Sequence, residues 1–422
     1  MPMNILLLCH EYPPLGGGGG VGAKQYAEAW AQKGNHVTVL TSWRRGLKFK
    51  EIQNEVRIVR VITIPSKDRA TFSFASMISY IVSGLFHILW NINFYRKNHI
   101  INSHFCIPTG LLAFITSKLL GCPNVLTIIG GDIYDPTKKS SPHRHFLTRA
   151  INSFLMNSAD RLVAISSDTK GNAEGYYKVR KKITVINYGF YPPELKTNDL
   201  PRESRKDGKY RLIAVGRLIQ RKGFEYLIQA MARLPENIVV SIVGDGPLEE
   251  HLKSVSEKHN LNGRVDFVGY VSREKIYKHL MDANCFVLSS LHEGLGIVVQ
   301  EAMHAGLPIV STDNGGQVDI ISDPQNGILV KPKDVEALAA AINRFYDNRE
   351  FAEKVGANNK EYIKKYYIGA NSQKYIEIFM DLVEEPIPSK RFRRANLISD
   401  SSGAVRRSPD PTREITPEST KI

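Results

Sequence analysis

Cysteine is scarce in this sequence: four among 422 residues, Cys9, Cys106, Cys122 and Cys285. They stand far apart, with no C-x-x-C pair and no clustered histidines, which argues against both a disulfide framework and a zinc site. A reducing cytoplasm fits that pattern. A signal peptide is not expected either, because MPMNILLLCHEYPP has no basic start and its apolar run is too short for an h-region. Asn4 to Cys9 reads instead as a first buried strand. Acidic residues are outnumbered, 42 Asp and Glu against 56 Lys and Arg, for a formal net charge of +14. Nucleic acid, an anionic membrane and phosphorylated substrates could each answer such an excess. No nucleic-acid-binding motif goes with it and the cations are scattered, so nucleic acid is not an expected partner.

Ionised residues are missing altogether from TFSFASMISYIVSGLFHILWNINFY, Thr71 to Tyr95. That length can cross a bilayer, yet Ser, Asn, Gly and His dilute it, and Arg69, Arg96 and Lys97 flank it. Three readings fit: a domain helix with an apolar face on a membrane surface, a true span, or a helix pair in the core. The rest of the composition, 42% hydrophobic and 23% charged, is that of a globular chain. Its length exceeds what one core serves, and two domains are expected.

Apolar, beta-branched runs alternate with helical patterns: NILLLCH, a helix from about Val21 to Lys33, HVTVLTS, RIVRVITI, HIINSHF, NVLTIIG, RLVAIS and KITVINYG. Such alternation means parallel strands with crossover helices. The first domain is placed at residues 1–194, and a polar, proline-bearing linker at 195–209. A second alternating series, 210–365, runs from RLIAVGR through IVVSIVG, VDFVGYV, CFVLSS and PIVST to GILVK. The fold class is therefore α/β, with two doubly wound Rossmann-like domains facing across a cleft. A last helix, 366–385, is expected to cross back to the first domain. The segment 386–422, with eight Lys/Arg and four Asp/Glu, reads as a disordered basic tail, either merely solvated or a membrane tether.

Two strand ends of the second domain carry the candidate chemistry. After VGR, Arg217 and Lys222 fall between a strand's carboxyl end and a helix start, where parallel sheets bind ligands. Two cations beside the positive end of a helix dipole suit a diphosphate. SSLHEGLGIVVQEAMHAGLP repeats that plan, and the amides of Gly296, Ile297 and Val298 are suited to phosphate oxygens, approached through Gly294 and Gly296. Glu293 lies just before this helix and Glu301 just over one turn inside it. Their carboxylates are expected on the order of 10 Å apart, too far for a retaining glycosidase pair, which needs roughly 5 Å. The spacing suits clamps on opposite ends of one extended ligand, a sugar and a ribose with a diphosphate between. G-x-G-x-x-G can also be read at Gly17, Gly19 and Gly22, but EYPPL separates it from the strand and strand two closes on TSWRR, which disfavours a dehydrogenase.

These elements together resemble a known family. The E-x7-E of Glu293 and Glu301, the GRL…KG around Arg217 and Lys222, GDGP at Gly244 to Pro247, EAM-x-x-G-x-P at Glu301 to Pro308 and the opening YPPLGGGGGVGAK…GNHVTVLT are similar to retaining glycosyltransferases of family 4, which have the GT-B fold. The resemblance extends to about Val383. It implies transfer of a sugar from a nucleotide-diphosphate donor, UDP by family frequency, with retained anomeric configuration and without a bound metal or other cofactor. No D-x-D, the metal-holding signature of the other main glycosyltransferase fold, is found. By resemblance, Arg217 and Lys222 neutralise the leaving diphosphate, Glu293 holds donor-sugar hydroxyls and Glu301 the ribose. The donor loops are Gly18, Gly19 and Gly20 in the first domain and Gly294, Leu295, Gly296, Ile297 and Val298 in the second. The nucleobase region is Gly269, Tyr270 and Val271. Near the anomeric centre the resemblance points to His104, then Asp132, although Asn102 and Ile129 stand where the family usually has histidine. The expected acceptor is a polysaccharide or a lipid-linked saccharide, and the expected location is cytoplasmic, with an anionic membrane surface as a further partner. The rival readings are a nucleotide-sugar epimerase or hydrolase of the same architecture, and a non-catalytic sugar-nucleotide or membrane-binding protein.

Overall fold

The four residues Ile5 to Leu8 are buried on both sides of their strand, as a central parallel strand requires and as its unbroken apolar run allows. They belong to a sheet built from β1 (Asn4–Leu8), β2 (His36–Trp43), β3 (Lys50–Gln53), β4 (Val56–Ile62), β5 (Ile100–His104), β6 (Asn124–Ile128), β7 (Arg161–Ala164) and β8 (Ile183–Val185), in the order β3-β4-β2-β1-β5-β6-β7-β8. All its pairings are parallel except β3 with β4. A second, all-parallel sheet holds β9 (Tyr210–Val215), β10 (Ile238–Val243), β11 (Val265–Gly269), β12 (Cys285–Leu288), β13 (Ile309–Thr312) and β14 (Gly327–Val330), ordered β11-β10-β9-β12-β13-β14. Strand order reverses at β1/β5 and at β9/β12, the switch points where loops part and ligands enter. The computed structural model describes residues 2–66, 72–192, 207–321 and 324–384. Thr71, most of the expected linker 195–209 and the expected tail 386–422 lie outside them.

Two local features depart from the sequence-based expectations, and a third agrees with one of the readings given. The hairpin of β3 and β4 was not anticipated. It turns at Asn54 and Glu55, both with positive φ (47° and 65°), a two-residue turn that normally advertises itself through Asn-Gly. The first helix begins at Gly18 and ends at Gln32, three residues earlier than Val21. Close packing explains why glycine occupies its first turns: a Cβ on Gly19 would lie 2.6 Å from the Phe105 ring, and one on Gly22 would lie 2.2 Å from the Tyr188 ring. The uncharged segment forms a helix, Phe74–Trp90, then a four-residue turn, Ile92–Tyr95. Among the described residues no helix is long and apolar enough to cross a membrane.

The last helix, Ile368–Glu384, packs on the helix Gly18–Gln32 of the first domain. Tyr26 meets Tyr375 at 4.7 Å between ring centroids and Trp30 meets Phe379 at 5.1 Å. The Tyr375 hydroxyl also pairs with Thr127 Oγ1 at 3.1 Å. A helix that follows the second domain in sequence thus completes the first domain's core.

Candidate active site

At the end of β9 the chain passes through Gly216 and Arg217 into a tight turn, Gln220–Lys222, and then a helix, Phe224–Met231. Gly223 joins them with φ 62°, and a Cβ there would stand 2.2 Å from the Ser289 carbonyl oxygen. Only glycine fits a left-handed residue so close to another strand end. This contact sets the Lys222 loop against the loop after β12. Lys222 Nζ lies 2.5 Å from Glu293 Oε1, Ser290 donates its hydroxyl to the same oxygen at 2.6 Å, and Arg221 Nη1 lies 3.9 Å from Glu293 Oε2. Burial pushes the Glu293 carboxyl up, but the Lys222 and Arg221 charges and the Ser290 hydroxyl outweigh it and bring the group down to about 2. Glu293 is therefore an ionised, almost fully buried carboxylate (5% exposed).

From Glu293 the chain runs through Gly294, buried Leu295 and Gly296, whose φ of 81° starts the helix Ile297–His304. Ile297 and Val298 lie in its first turn, with amides that lack an intrahelical acceptor by position. Glu301 follows one turn later, half-buried, on the helix face shared with Ile297 and Val298. At the end of β11, Gly269 has φ 75°, Tyr270 is 75% exposed and Val271 is half-buried. The second domain thus brings Arg217, Lys222, Glu293 to Val298, Glu301 and Gly269 to Val271 to the carboxyl edge of one sheet.

The first domain presents a different surface. Gly17 and Gly18 open the glycine loop, and a Cβ on either would meet nothing within 4 Å, so this backbone has room for a ligand. Gly20 is pressed to the chain behind it, its missing Cβ 2.4 Å from the Glu11 carbonyl oxygen. The Gly17 amide donates to Glu11 Oε2 at 3.1 Å. Burial raises the Glu11 carboxyl to about 7, against that amide and the charges of Lys138 and Arg217. An arginine of the second domain thus acts electrostatically on a carboxyl of the first.

His104 and Asp132, the residues to which the resemblance points, are both held by contacts within the first domain. The His104 ring is fully buried, stacked on Tyr188 at 5.7 Å, and its Nδ1 is 2.7 Å from the Tyr188 hydroxyl. Burial lowers the imidazole to about 3. The ring is closed off from solvent, and its Nε2 has no hydrogen-bond partner. Asp132 accepts the Cys106 amide at 2.8 Å and the Ile129 amide at 3.1 Å, tying the loops after β5 and β6 together. Burial raises its carboxyl to about 6 against those amides. Ile129, where the family usually has histidine, instead lies against Gly19.

Contacts across the domain seam single out residues that sequence reasoning missed. Arg221 reaches Asp135 Oδ2 of the first domain, Nε at 3.5 Å, while also donating to the His292 carbonyl at 3.2 Å. His292 Nε2 lies 2.8 Å from Asp168 Oδ2, and Asp319 accepts from the Ser167 amide at 2.7 Å and from Asn187 at 3.0 Å. Gly294 completes the seam, its missing Cβ 2.7 Å from the Ile129 carbonyl oxygen. The available signals were adjacency alone: Arg221 neighbours Lys222, and His292 neighbours Glu293. Among the described residues no group of three or more His, Cys, Asp or Glu could hold a metal ion.

Residues 16–191 match the family described as Glycosyltransferase Family 4, and residues 196–362 match Glycosyl transferases group 1. The chain is a family 4 type glycosyltransferase. This glycosyltransferase is 25% identical over 395 residues to an uncharacterized glycosyltransferase of Methanocaldococcus jannaschii, covering 88% of its own length and 96% of that relative's. Two solved structures share its GT-B fold. Sucrose-phosphate synthase from Thermosynechococcus elongatus superposes with a TM-score of 0.77 at 22% identity, over 90% of the glycosyltransferase and 99% of that chain. HepE of Anabaena, solved with UDP and glucose, superposes with a TM-score of 0.73 at 19% identity, over 90% and 100%.

Proposed function

We propose that this glycosyltransferase moves a hexose from a UDP-hexose to a polysaccharide or lipid-linked saccharide, retaining the anomeric configuration and using no bound metal. The observation that carries the reading is the Lys222–Glu293–Arg221 cluster beside the helix start at Ile297. The diphosphate rests on the amides of Gly296 to Val298, and Arg217 and Lys222 offset the negative charge that grows as it leaves. Because Lys222 already pairs with Glu293, an arriving diphosphate competes for the ammonium and frees the carboxylate to accept from sugar hydroxyls. Glu301 takes the ribose, and exposed Tyr270 lies against the uracil. In the transfer, the bond from C1 to the phosphate oxygen breaks as a bond from C1 to the acceptor oxygen forms on the same face. The acceptor proton passes to the departing phosphate, so no dedicated side-chain base is needed. UDP as the nucleotide is supported by the UDP and glucose held by the Anabaena neighbour of the same fold. The net charge of +14 supports work in the cytoplasm beside an anionic membrane, where lipid-linked acceptors are held.

A thermal-shift screen with UDP-, GDP- and ADP-sugars tests the donor, since a ligand that binds the native state raises apparent stability. UDP-hexose should give the largest rise, UDP release should need acceptor and persist in EDTA, and the product linkage should keep the donor's configuration. Release abolished by EDTA and restored by one divalent ion would contradict the proposed chemistry.

A further inference from the structure

The helix Phe74–Trp90 is turned inside out. Its buried side is Ser76, Tyr80, Gly84 and Ile88, held by polar contacts such as Ser76 Oγ to the Ile64 carbonyl at 2.6 Å and the Tyr80 hydroxyl to the Leu40 carbonyl at 2.9 Å. Its outer side is Phe74 (77% exposed), Ile78, Val82 (61%), Phe86 (65%), Leu89 and Trp90 (79%). These recur every three to four residues and so form one stripe. A surface helix of a globular protein shows its polar residues to water, and a continuous apolar stripe marks a contact with something else. Phe74–Trp90 packs beside Leu111–Leu120, which packs beside Phe146–Ser158, and that third helix also shows large apolar residues, Phe146 86% and Leu147 68% exposed.

Charge decides what covers it. Residues 72–154 contain seven Lys and Arg, from Arg96 to Arg149, and two acids, Asp132 and Asp135. Asp132 is engaged by two amides and Asp135 is 3% exposed, so neither offsets the cations at the surface. Lys118 lies over the Phe114 ring at 5.8 Å and Arg57 over the Phe94 ring at 5.1 Å, apolar stems against the patch and charges at its rim. A second copy of the chain would bring like charges together across a two-fold contact, and protein interfaces are depleted in lysine. An aromatic and aliphatic face whose own stretch, residues 72–154, carries seven cations against two engaged or buried acids matches an anionic bilayer.

We propose that this face docks on an anionic lipid surface, with Phe74, Val82, Phe86 and Trp90 inserted at headgroup depth. Docking there sets the direction of the active site. Phe72, two residues before the stripe, has its ring 4.7 Å from that of His10, and His10 precedes Glu11, which takes the Gly17 amide of the glycine loop. The stripe therefore begins beside the loop that approaches the donor, so a saccharide carried on a lipid headgroup is delivered to that end of the seam. This delivery rests on the transferase reading; the docking does not.

The test is co-sedimentation of the full chain with vesicles of phosphatidylcholine alone and of equimolar phosphatidylcholine and phosphatidylglycerol, with Phe86→Ser/Trp90→Ser as the variant. Both positions are exposed, so the variant's circular dichroism and melting should match the parent. The expected result is binding to the anionic vesicles only, weakened by salt, and at least about tenfold weaker in the variant. UDP release with a water-soluble acceptor should be the same for both proteins. Equal sedimentation of parent and variant, or no sedimentation of the parent, would overturn the docking even with transfer intact. A concentration-dependent dimer that the variant dissolves would overturn it in favour of a second copy. Normal docking without transfer would leave this inference standing and remove the transferase reading.

Discussion

The two domains share a plan of parallel strands and helices, yet they use their strand ends in opposite ways. In the second domain charged and polar groups converge: Lys222, Arg221 and the Ser290 hydroxyl all meet Glu293, which is nearly buried and still ionised. In the first domain the corresponding polar groups are spent on the protein itself. His104 is paired with Tyr188, Asp132 with two amides and Glu11 with Gly17. A fixed cluster of opposite charges suits a ligand that varies little, such as a sugar nucleotide. A surface of backbone, glycine and exposed apolar residues leaves the partner on the other side to be set by shape and by where the protein docks.

Removing one cation from the second domain should have the largest effect. Lys222→Ala should lower kcat/KM on the order of a thousandfold and destabilise the fold by about 3 kcal/mol, because Glu293 would be left charged and buried with less compensation. Initial rates and urea unfolding measure the two losses, and unchanged rates would erase the contrast between the domains. Glu11 comes next. Its folded-state carboxyl is raised to about 7 from the ordinary value of 4.5, so the folded state holds the proton more tightly. Stability contributed by the protonated group is full below about pH 4.5 and falls as pH rises to about 7. Glu11→Gln should remove a decline of about 3 kcal/mol over that interval, read from melting curves at stepped pH. A parallel decline in the variant would assign the effect elsewhere.

Asp132→Asn tests whether the first domain's carboxyl serves the backbone. An amide offers only one oxygen to the two N–H groups of Cys106 and Ile129, and about 1–3 kcal/mol of stability should go. The smallest effect expected is that of His104→Asn. Loss of the Tyr188 contact should cost about 1 kcal/mol, with kcat within a few-fold of the parent. A collapse of kcat with normal melting would return His104 to the chemistry and make the two domains alike.

Much of this was legible in the sequence, for reasons that differ by region. Strand alternation marked the second domain's strand ends, and the E-x7-E and KG spacings named residues that meet there, Lys222 and Glu293, because they lie on two short loops whose local order fixes their position. The first domain was harder. β5 is buried along all five residues, so strand parity gave no sign that His104 points inward. The glycine tract looked like a loop that precedes a helix, whereas close contact with Phe105 and Tyr188 makes it the helix's first turns. β3 has one apolar residue in KEIQ and no glycine in its turn, so neither strand nor hairpin signal was present. Arg221 was hidden beside Lys222, since only the fold shows that it reaches Asp135 across the seam. The uncharged segment was visible, but which of its residues face outward depends on the sheet beneath.

The most direct measurement is a structure of the protein with UDP-hexose bound. The diphosphate should lie on the amides of Gly296 to Val298, contacted by Arg217 and Lys222, with Glu293 at the hexose and Glu301 at the ribose. A donor seated elsewhere, with Lys222 still joined to Glu293 and Arg217 turned from the seam, would contradict that arrangement.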